Sequence, residues 1–268
     1  MSMIQDHAIC VRTWDWSETS QTAVLLTREH GMVRVLAKGS KRDRSAFSGG
    51  LELCTAGQMN AIIRPNSDLT LLTQWDLLEQ MSGIRKNLRS YSVSMLGIDL
   101  IPRLIQDHDP HPEVHDALLT LLHDCSAYVP SNGDDLDTRS LSMLAWYLWH
   151  ILVAVGAMPI VDHDVLTGDP LEPSSVYGFS AQLGGITQDP ITGNTSNPST
   201  LSQDDSPVWR VRAQTVQLMG QLGGSPPCTF FLNESKDQIQ RLARLLGAYI
   251  RERTGTDIPA MNWLLDLE

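Results

Sequence analysis

The stretch from Trp16 to Ser45 reads W-S-E-T-S-Q-T-A-V-L-L-T-R-E-H-G-M-V-R-V-L-A-K-G-S-K-R-D-R-S. An apolar run, Thr22–Thr27, is closed by a turn signal at His30-Gly31, and a second run, Met32–Ala37, ends in Lys38-Gly39-Ser40. Short runs of aliphatic and β-branched residues bounded by Gly and Ser predict two strands joined by a turn. Behind the second strand stands a knot of positive charge. From Arg28 to Arg44 there are six Lys or Arg (Arg28, Arg34, Lys38, Lys41, Arg42, Arg44) against two acids (Glu29, Asp43), a local net of +4 in a chain whose formal net charge is −11.

Working outward, three more runs of the same kind occupy the first 80 residues: Ala8–Val11, Gln58–Ile63 and Leu69–Gln74. Turn signals at Ser17, Gly49-Gly50 and Pro65-Asn66-Ser67-Asp68 separate them. Five short strands in so small a span predict a closed or nearly closed barrel, because closure removes exposed edges; an OB-fold is the expected five-stranded version. From Ile84 the period becomes helical. Ile84, Leu88, Tyr91, Met95 and Ile98 fall on one face, and Pro102 marks a kink or stop. A second helix carries Val114, Leu118, Leu121, Cys125 and Val129; a third, Thr138–Gly156, is apolar on nearly all sides and belongs at the centre of a bundle, with Gly156 as its C-terminal cap.

Residues 157–206 lose periodicity among many Pro, Gly, Asn and Ser, which predicts a long irregular region. Helices are expected again over Val208–Gln221 and Lys236–Arg253, the latter burying Ile239, Leu242, Leu246 and Tyr249. Met261, Trp263, Leu264 and Leu265 form a terminal apolar plug. The expected fold is α+β in two domains, a barrel over 1–80 and a mainly helical domain over 81–268 with the irregular region inside it.

The chain has 268 residues, 42% of them hydrophobic, enough for more than one core. Cys10, Cys54, Cys125 and Cys228 are far apart with no C-x-x-C pair, so they read as small buried apolar residues in a reducing compartment. The first residues, Met1–His7, carry neither a basic nor an apolar leader region, and the most apolar segment, Leu141–Val155, is short for a membrane span. A cytoplasmic protein is expected, with no membrane partner.

The cluster of Arg34, Lys38, Lys41, Arg42 and Arg44 sits where a strand becomes a loop, and Gly39 lets the chain turn there. Interstrand loops of small barrels grip single strands, and Lys and Arg attract phosphates without reading sequence. The alternative is a solvated polar hairpin with no ligand. Trp14 and Trp16 lie beside the first barrel turn and are the aromatic residues placed to stack on bases, whereas Trp146, Tyr147 and Trp149 read as core. A later basic run, Lys236, Arg241, Arg244, Arg251 and Arg253, is interleaved with acids and reads as an exposed helix face. Asp162-His163-Asp164 is the densest group with metal-ligand or acid–base character but lacks a partner set at ligand spacing. His108, His111 and His115 read as the turn and start of a helix. No P-loop, nucleophile elbow or dinucleotide fingerprint is present, so no enzyme, cofactor or metal is expected.

The run Ser17-Glu18-Thr19-Ser20, then Val24–Gly31, then Ala37-Lys38-Gly39-Ser40-Lys41-Arg42 resembles the N-terminal signature of the RecO family. The resemblance continues at Leu69–Thr73, Val155-Gly156-Ala157-Met158-Pro159, Phe179–Ile186 and the C-terminal Arg241–Arg253 and Met261–Leu265. It implies an OB-fold followed by a helical domain and a role in DNA repair and recombination. It further implies binding of single- and double-stranded DNA, annealing of complementary strands, and help in loading RecA onto strands coated by single-strand-binding protein. The implied partners are RecR and the C-terminal tail of single-strand-binding protein, and the implied location is cytoplasmic and nucleoid-associated. The DNA-contacting residues expected are Arg28, Arg34, Lys38, Lys41, Arg42 and Arg44, with Trp14 and Trp16. Many members carry a four-cysteine zinc site in the irregular region, but Met158–Asp189 here contains no cysteine, so no zinc is expected. Two rival readings are an interaction adaptor whose DNA contact is made through RecR, and a hydrolase using Asp162, His163 and Asp164.

Overall fold

The computed structural model describes residues 2–42, 45–47, 50–63, 69–127, 133–188, 208–223 and 234–265, with side chains of 133–137 excepted. It divides into two compact units, Met1–Ser131 and Asn132–Glu268.

In the first unit, strands β1 (Ser2–Asp15), β2 (Gln21–Thr27), β3 (Gly31–Ala37), β4 (Ala56–Ile63) and β5 (Thr70–Glu79) close into a barrel of order β1-β2-β3-β5-β4. The expected five-stranded barrel is there, and its one parallel contact, β3 with β5, is what closes it. The first strand is far longer than its apolar run suggested, because it pairs with β4 over Ser2–Ile9 and with β2 over Ala8–Asp15. A shift of register between Cys10 and Arg12 bends it between the two partners. Alternation sends Ala8, Cys10, Ala23, Leu25, Val33, Val35, Met59, Ala61, Leu72 and Trp75 inward, and Phe47 and Leu51 from the long β3–β4 loop complete this core.

The opposite face is not left to water. Ile9, Leu26 and Met32 lie outside the barrel interior yet are buried. Two helices, α1 (Leu88–Leu104) and α2 (Pro112–Ala127), belong to the same unit, and α2 packs on β1 and β2. The turn between them presses on β3. A Cβ on Gly31, whose φ is +68°, would lie 2.4 Å from the Asp109 carbonyl oxygen, and the His108 N–H donates to the Met32 carbonyl at 3.0 Å. The Asn87 side chain caps α1, accepting from the amides of Arg89 and Ser90. The stripe expected here is corrected in part: Ile84 and Ile98 are buried as expected, but Leu88 and Tyr91 are exposed, and Val93, Leu96, Leu100 and Ile101 are buried as well. A 3₁₀ turn over Ser82–Lys86 and the Asn87 cap reset the phase after Ile84. Pro102 stops the helix within two residues, at Leu104, without breaking it earlier.

The second unit holds α3 (Gly133–Ala154), β6 (Val176–Ser180), β7 (Gly185–Gln188), β8 (Val208–Arg212), α4 (Ala213–Leu222), α5 (Lys236–Thr254) and α6 (Pro259–Leu265). Helix α3 is buried along Ser140–Trp149 and at Ile151 and Leu152, Trp146, Tyr147 and Trp149 included, with Val153 exposed near its end, and it packs on α5. Gly156, at φ +69°, ends it as expected. A capping box of Ser235 and Gln238 starts α5, which buries Ile239, Leu242, Leu246 and Tyr249. Trp263 is corrected from plug to surface, at 58% exposure, while Met261, Leu264 and Leu265 are buried. Two further expectations change. Val208–Gln221 is not one helix: its first five residues form β8, paired antiparallel to β6. Part of the expected irregular region is ordered as the β6–β7 hairpin.

That hairpin is tied down by Asp164. One carboxylate oxygen accepts from the Leu166 amide at 2.7 Å, and the other from the Gln188 amide at 2.8 Å and the Thr187 hydroxyl at 3.2 Å. Ile160 pairs with Gly185, and the Val165 amide donates to the Ile186 carbonyl at 2.9 Å. A carboxylate clasp thus anchors the segment whose lack of cysteines the sequence announced.

Candidate nucleic-acid interface

The loop that follows β3 is built from the residues around it. Gly39 takes φ +72°, and its amide donates to the Ser20 hydroxyl at 3.1 Å. The Arg42 amide donates back to the Gly39 carbonyl at 3.1 Å, which closes a tight turn, and the Lys41 amide donates to the Thr19 carbonyl at 3.1 Å. Beneath them Gln21 is a buried hub. Its side-chain oxygen accepts from the Ser40 hydroxyl and the Leu51 amide, each at 3.0 Å, and its amide nitrogen donates to the Leu51 carbonyl at 3.0 Å. One side chain in the barrel wall therefore holds the loop at Ser40 and again at Leu51. The sequence reading passed over Ser20 and Gln21 as anchors; the available signal was a polar pair opening an otherwise apolar strand.

The cations divide by where the strand places them. Lys38, Lys41 and Arg42 are exposed together on this loop. The Lys41 ammonium bonds the Asp15 carboxylate at the end of β1. Lys38 and Arg42 have no ion-pair partner among the described residues. Arg34 lies mid-strand, on the outer face, and bonds Asp107 at 2.8 Å. Arg28 is in the β2–β3 turn at the far end of β3, about 20 Å of strand away at the usual rise per residue. There it forms a two-pronged pair with Asp116 of α2, at 3.0 and 2.9 Å, and a further pair with Glu29 at 3.1 Å. Arg44 lies outside the described residues. The structure therefore brings Lys38, Lys41 and Arg42 together and sets Arg28 and Arg34 apart, each held by an acid of the α1–α2 region.

Trp14 and Trp16 flank Asp15 at the same end of the barrel. They are 51% and 61% exposed, so neither is a core residue. The Trp16 amide donates to the Ser20 carbonyl at 2.9 Å, which fixes the turn that also carries the Gly39 anchor. Two aromatic faces and three cations thus share one rim of the barrel, Trp14 at the end of β1 and the others on loops whose backbone is already held in place.

The remaining candidates fall elsewhere. Asp164 is the clasp described above, and the His163 ring meets its neighbour Asp162, at 2.7 Å, on the surface. No group of three or more His, Cys, Asp or Glu placed to hold a metal occurs among the described residues. Cys10, Cys54 and Cys125 are buried; burial pushes the Cys10 and Cys54 thiols up to about 12 and about 11, leaving them protonated, and Cys228 lies outside the described residues. His115 is buried against the barrel, between His7 at 3.0 Å and Asp116 at 3.0 Å. Among the described residues, no helix is long and apolar enough to cross a membrane.

A closed five-stranded barrel of this strand order, with a cationic loop and exposed tryptophans on one rim and helices after it, is an OB-fold of the kind that carries its sites in interstrand loops. Comparison with known proteins makes the class specific. Residues 1–81 match the N-terminal region of recombination protein O, and residues 85–261 match its C-terminal region. The chain belongs to the RecO family. It is 28% identical over 256 residues to the DNA repair protein RecO of Anaeromyxobacter sp. (strain Fw109-5), covering 96% of this chain and 93% of that one. It is 34% identical over 214 residues to the DNA repair protein RecO of Rhodopirellula baltica, covering 79% and 75% respectively.

Proposed function

We propose that this chain acts in DNA repair as a recombination mediator that carries out no chemistry of its own. On this reading it binds single- and double-stranded DNA through the rim loop, anneals complementary strands, and helps load RecA onto strands coated by single-strand-binding protein. RecR and the C-terminal tail of single-strand-binding protein are its partners, in the cytoplasm at the nucleoid. The observation that carries the reading is the rim itself. Lys38 and Arg42, without acidic partners among the described residues, stand with Lys41 beside exposed Trp14 and Trp16 on a loop pre-set by Ser20 and Gln21. Pre-set cations lose little freedom on meeting a phosphate, and aromatic faces accept any base. Arg28 and Arg34 are spent on holding the α1–α2 region and contribute less to the strand.

The test is fluorescence anisotropy of a labelled single strand over a salt series. Each phosphate neutralised on a single strand adds about 0.7 to the negative slope of log K against log salt. The Lys38→Glu/Arg42→Glu variant is expected to bind at least tenfold more weakly at low salt, with a slope reduced by about 1.4. Arg28→Gln is expected to bind nearly as the parent. Parental binding by the double variant overturns the placement. The adaptor reading has one observation in its favour: Arg28, Arg34 and Lys41 are each paired within the unit, which shrinks the basic surface of an acidic chain. Binding that appears only when RecR is added selects that reading.

A further inference from the structure

The fold assembles a second cationic site from segments that the sequence left as an ordinary helix face. Between β8 and α5 runs a groove of about 300 Å³. Arg210 and Arg212 line it from the strand, and Arg241 and Arg244, one turn apart, from the helix. Its apolar lining includes Trp209 and Leu245. Among the described residues no acid lines it, although the chain as a whole carries −11. Arg244 is steadied by donating its Nε–H to the Leu265 carbonyl at 2.5 Å. Trp209 is braced by Phe179, ring on ring at 5.8 Å and 5° between planes, and Phe179 is braced in turn by Tyr249 at 5.3 Å. Arg212 from the strand and Arg241 from the helix place two guanidinium groups on opposite walls of one concavity, a local field that favours an anion between them.

We propose that this groove is a second strand-binding site. It would take phosphates of a single strand on Arg212 and Arg241 and a base on the half-buried ring of Trp209. Guanidinium groups are suited to phosphate, and a braced indole is suited to stacking. Cations repeated along α5 and across to the end of β8 fit a ligand whose charge also repeats. The inference rests on the reading of this protein as a strand binder, and it adds a mechanism to that reading. One chain carries two strand sites on two separate units, so two complementary strands are held by the same molecule while they find their register.

The experiment uses the full chain and a labelled oligothymidylate of about 8 nucleotides, within the site size of a single barrel. Stoichiometry is read by titration at low salt. Two oligonucleotides per parent chain are expected, one for Arg212→Glu/Arg241→Glu, and one for the barrel variant Lys38→Glu/Arg42→Glu. Combining all four changes should abolish binding, and the conservative Arg212→Lys/Arg241→Lys pair should retain the second strand. Ultraviolet crosslinking of the oligonucleotide to the peptide containing Trp209 is expected in the parent and in the barrel variant. A groove variant that still binds two strands, or a parent that binds one strand at the barrel alone, overturns the inference and leaves the barrel reading standing. So does competition at the groove by an Asp/Glu-rich peptide without any crosslink to the oligonucleotide.

Discussion

Replacing Asp164 by Ala removes three acceptor contacts at once and leaves the backbone otherwise free to fold. The Leu166 and Gln188 amides, at 2.7 and 2.8 Å, lose a charged acceptor, while the Thr187 hydroxyl can turn to the Gln188 carbonyl it already approaches at 3.4 Å. Hydrogen bonds to a charged group contribute about 1.5–3 kcal/mol each, so losing the two amide contacts amounts to about 3–6 kcal/mol, less whatever water restores. That is a large share of the stability of a typical domain, which is about 5–15 kcal/mol. The cost should fall first on the β6–β7 hairpin, because the backbone bonds from Asp164 N–H to Asp169 and from Gly168 N–H to Asp164 survive the change. Asp164→Asn, keeping one acceptor oxygen, should lose about half as much. The assay is amide hydrogen exchange resolved at Leu166 and Gln188, alongside denaturant unfolding of the whole chain. Burial raises the Asp164 carboxyl, but the amides of Gln188 and Leu166 and the Thr187 hydroxyl outweigh it and hold the group below its ordinary 3.8. A lowered carboxyl contributes stability that is complete above 3.8 and disappears as pH falls through the folded value, so from pH 5 to 8 the parent–variant difference should be flat. Exchange at those two amides unchanged from the parent would refute the clasp.

Two further outcomes follow from the first unit. Gln21→Leu leaves the Leu51 amide and the Ser40 hydroxyl, both buried, without their acceptor; a loss of about 2–4 kcal/mol is expected by urea unfolding, together with weaker strand binding although no charge has changed. Strand affinity equal to the parent's would show that the loop does not need its anchor. Burial, partly offset by Asp116 and reinforced by His7, holds the His115 imidazole below its ordinary 6.5. A histidine lowered by folding contributes stability that is full above 6.5 and fades as pH drops below it, so melting temperature should fall between pH 7 and 5. His115→Phe should flatten part of that fall; an identical pH profile would remove His115 from the account.

The barrel was legible because closure needs only five alternating runs and turns between them, and each run reached the structure. Helix periodicity was legible where one phase persists, as in α5. It misled at Ile84–Ile98, where a 3₁₀ turn and the Asn87 cap interrupt the phase that a continuous stripe assumes. Strand β8 carried its own signal, since Trp209-Arg210-Val211-Arg212 alternates apolar and charged before the helical pattern starts. The abundance of proline around Tyr177 and Phe179 hid the β6–β7 hairpin in the same way. At the interface, the basic loop could be read from charge and Gly39 alone. The pairing that sorts its cations could not: Arg28 meets Asp116 and Arg34 meets Asp107, acids more than 70 residues away that only the fold brings near.

The close approach of the α1–α2 turn to Gly31 has a meaning for where this molecule can be cut. Inheritance draws its line between residues 81 and 85, while the physical seam falls after Ser131. A piece ended at the inherited line would keep a complete barrel interior and bare the outer wall of Ile9, Leu26 and Met32 to water. What descends as a module is therefore not what stands alone: the helical hairpin on the far side of the inherited line is the barrel's own outer coat.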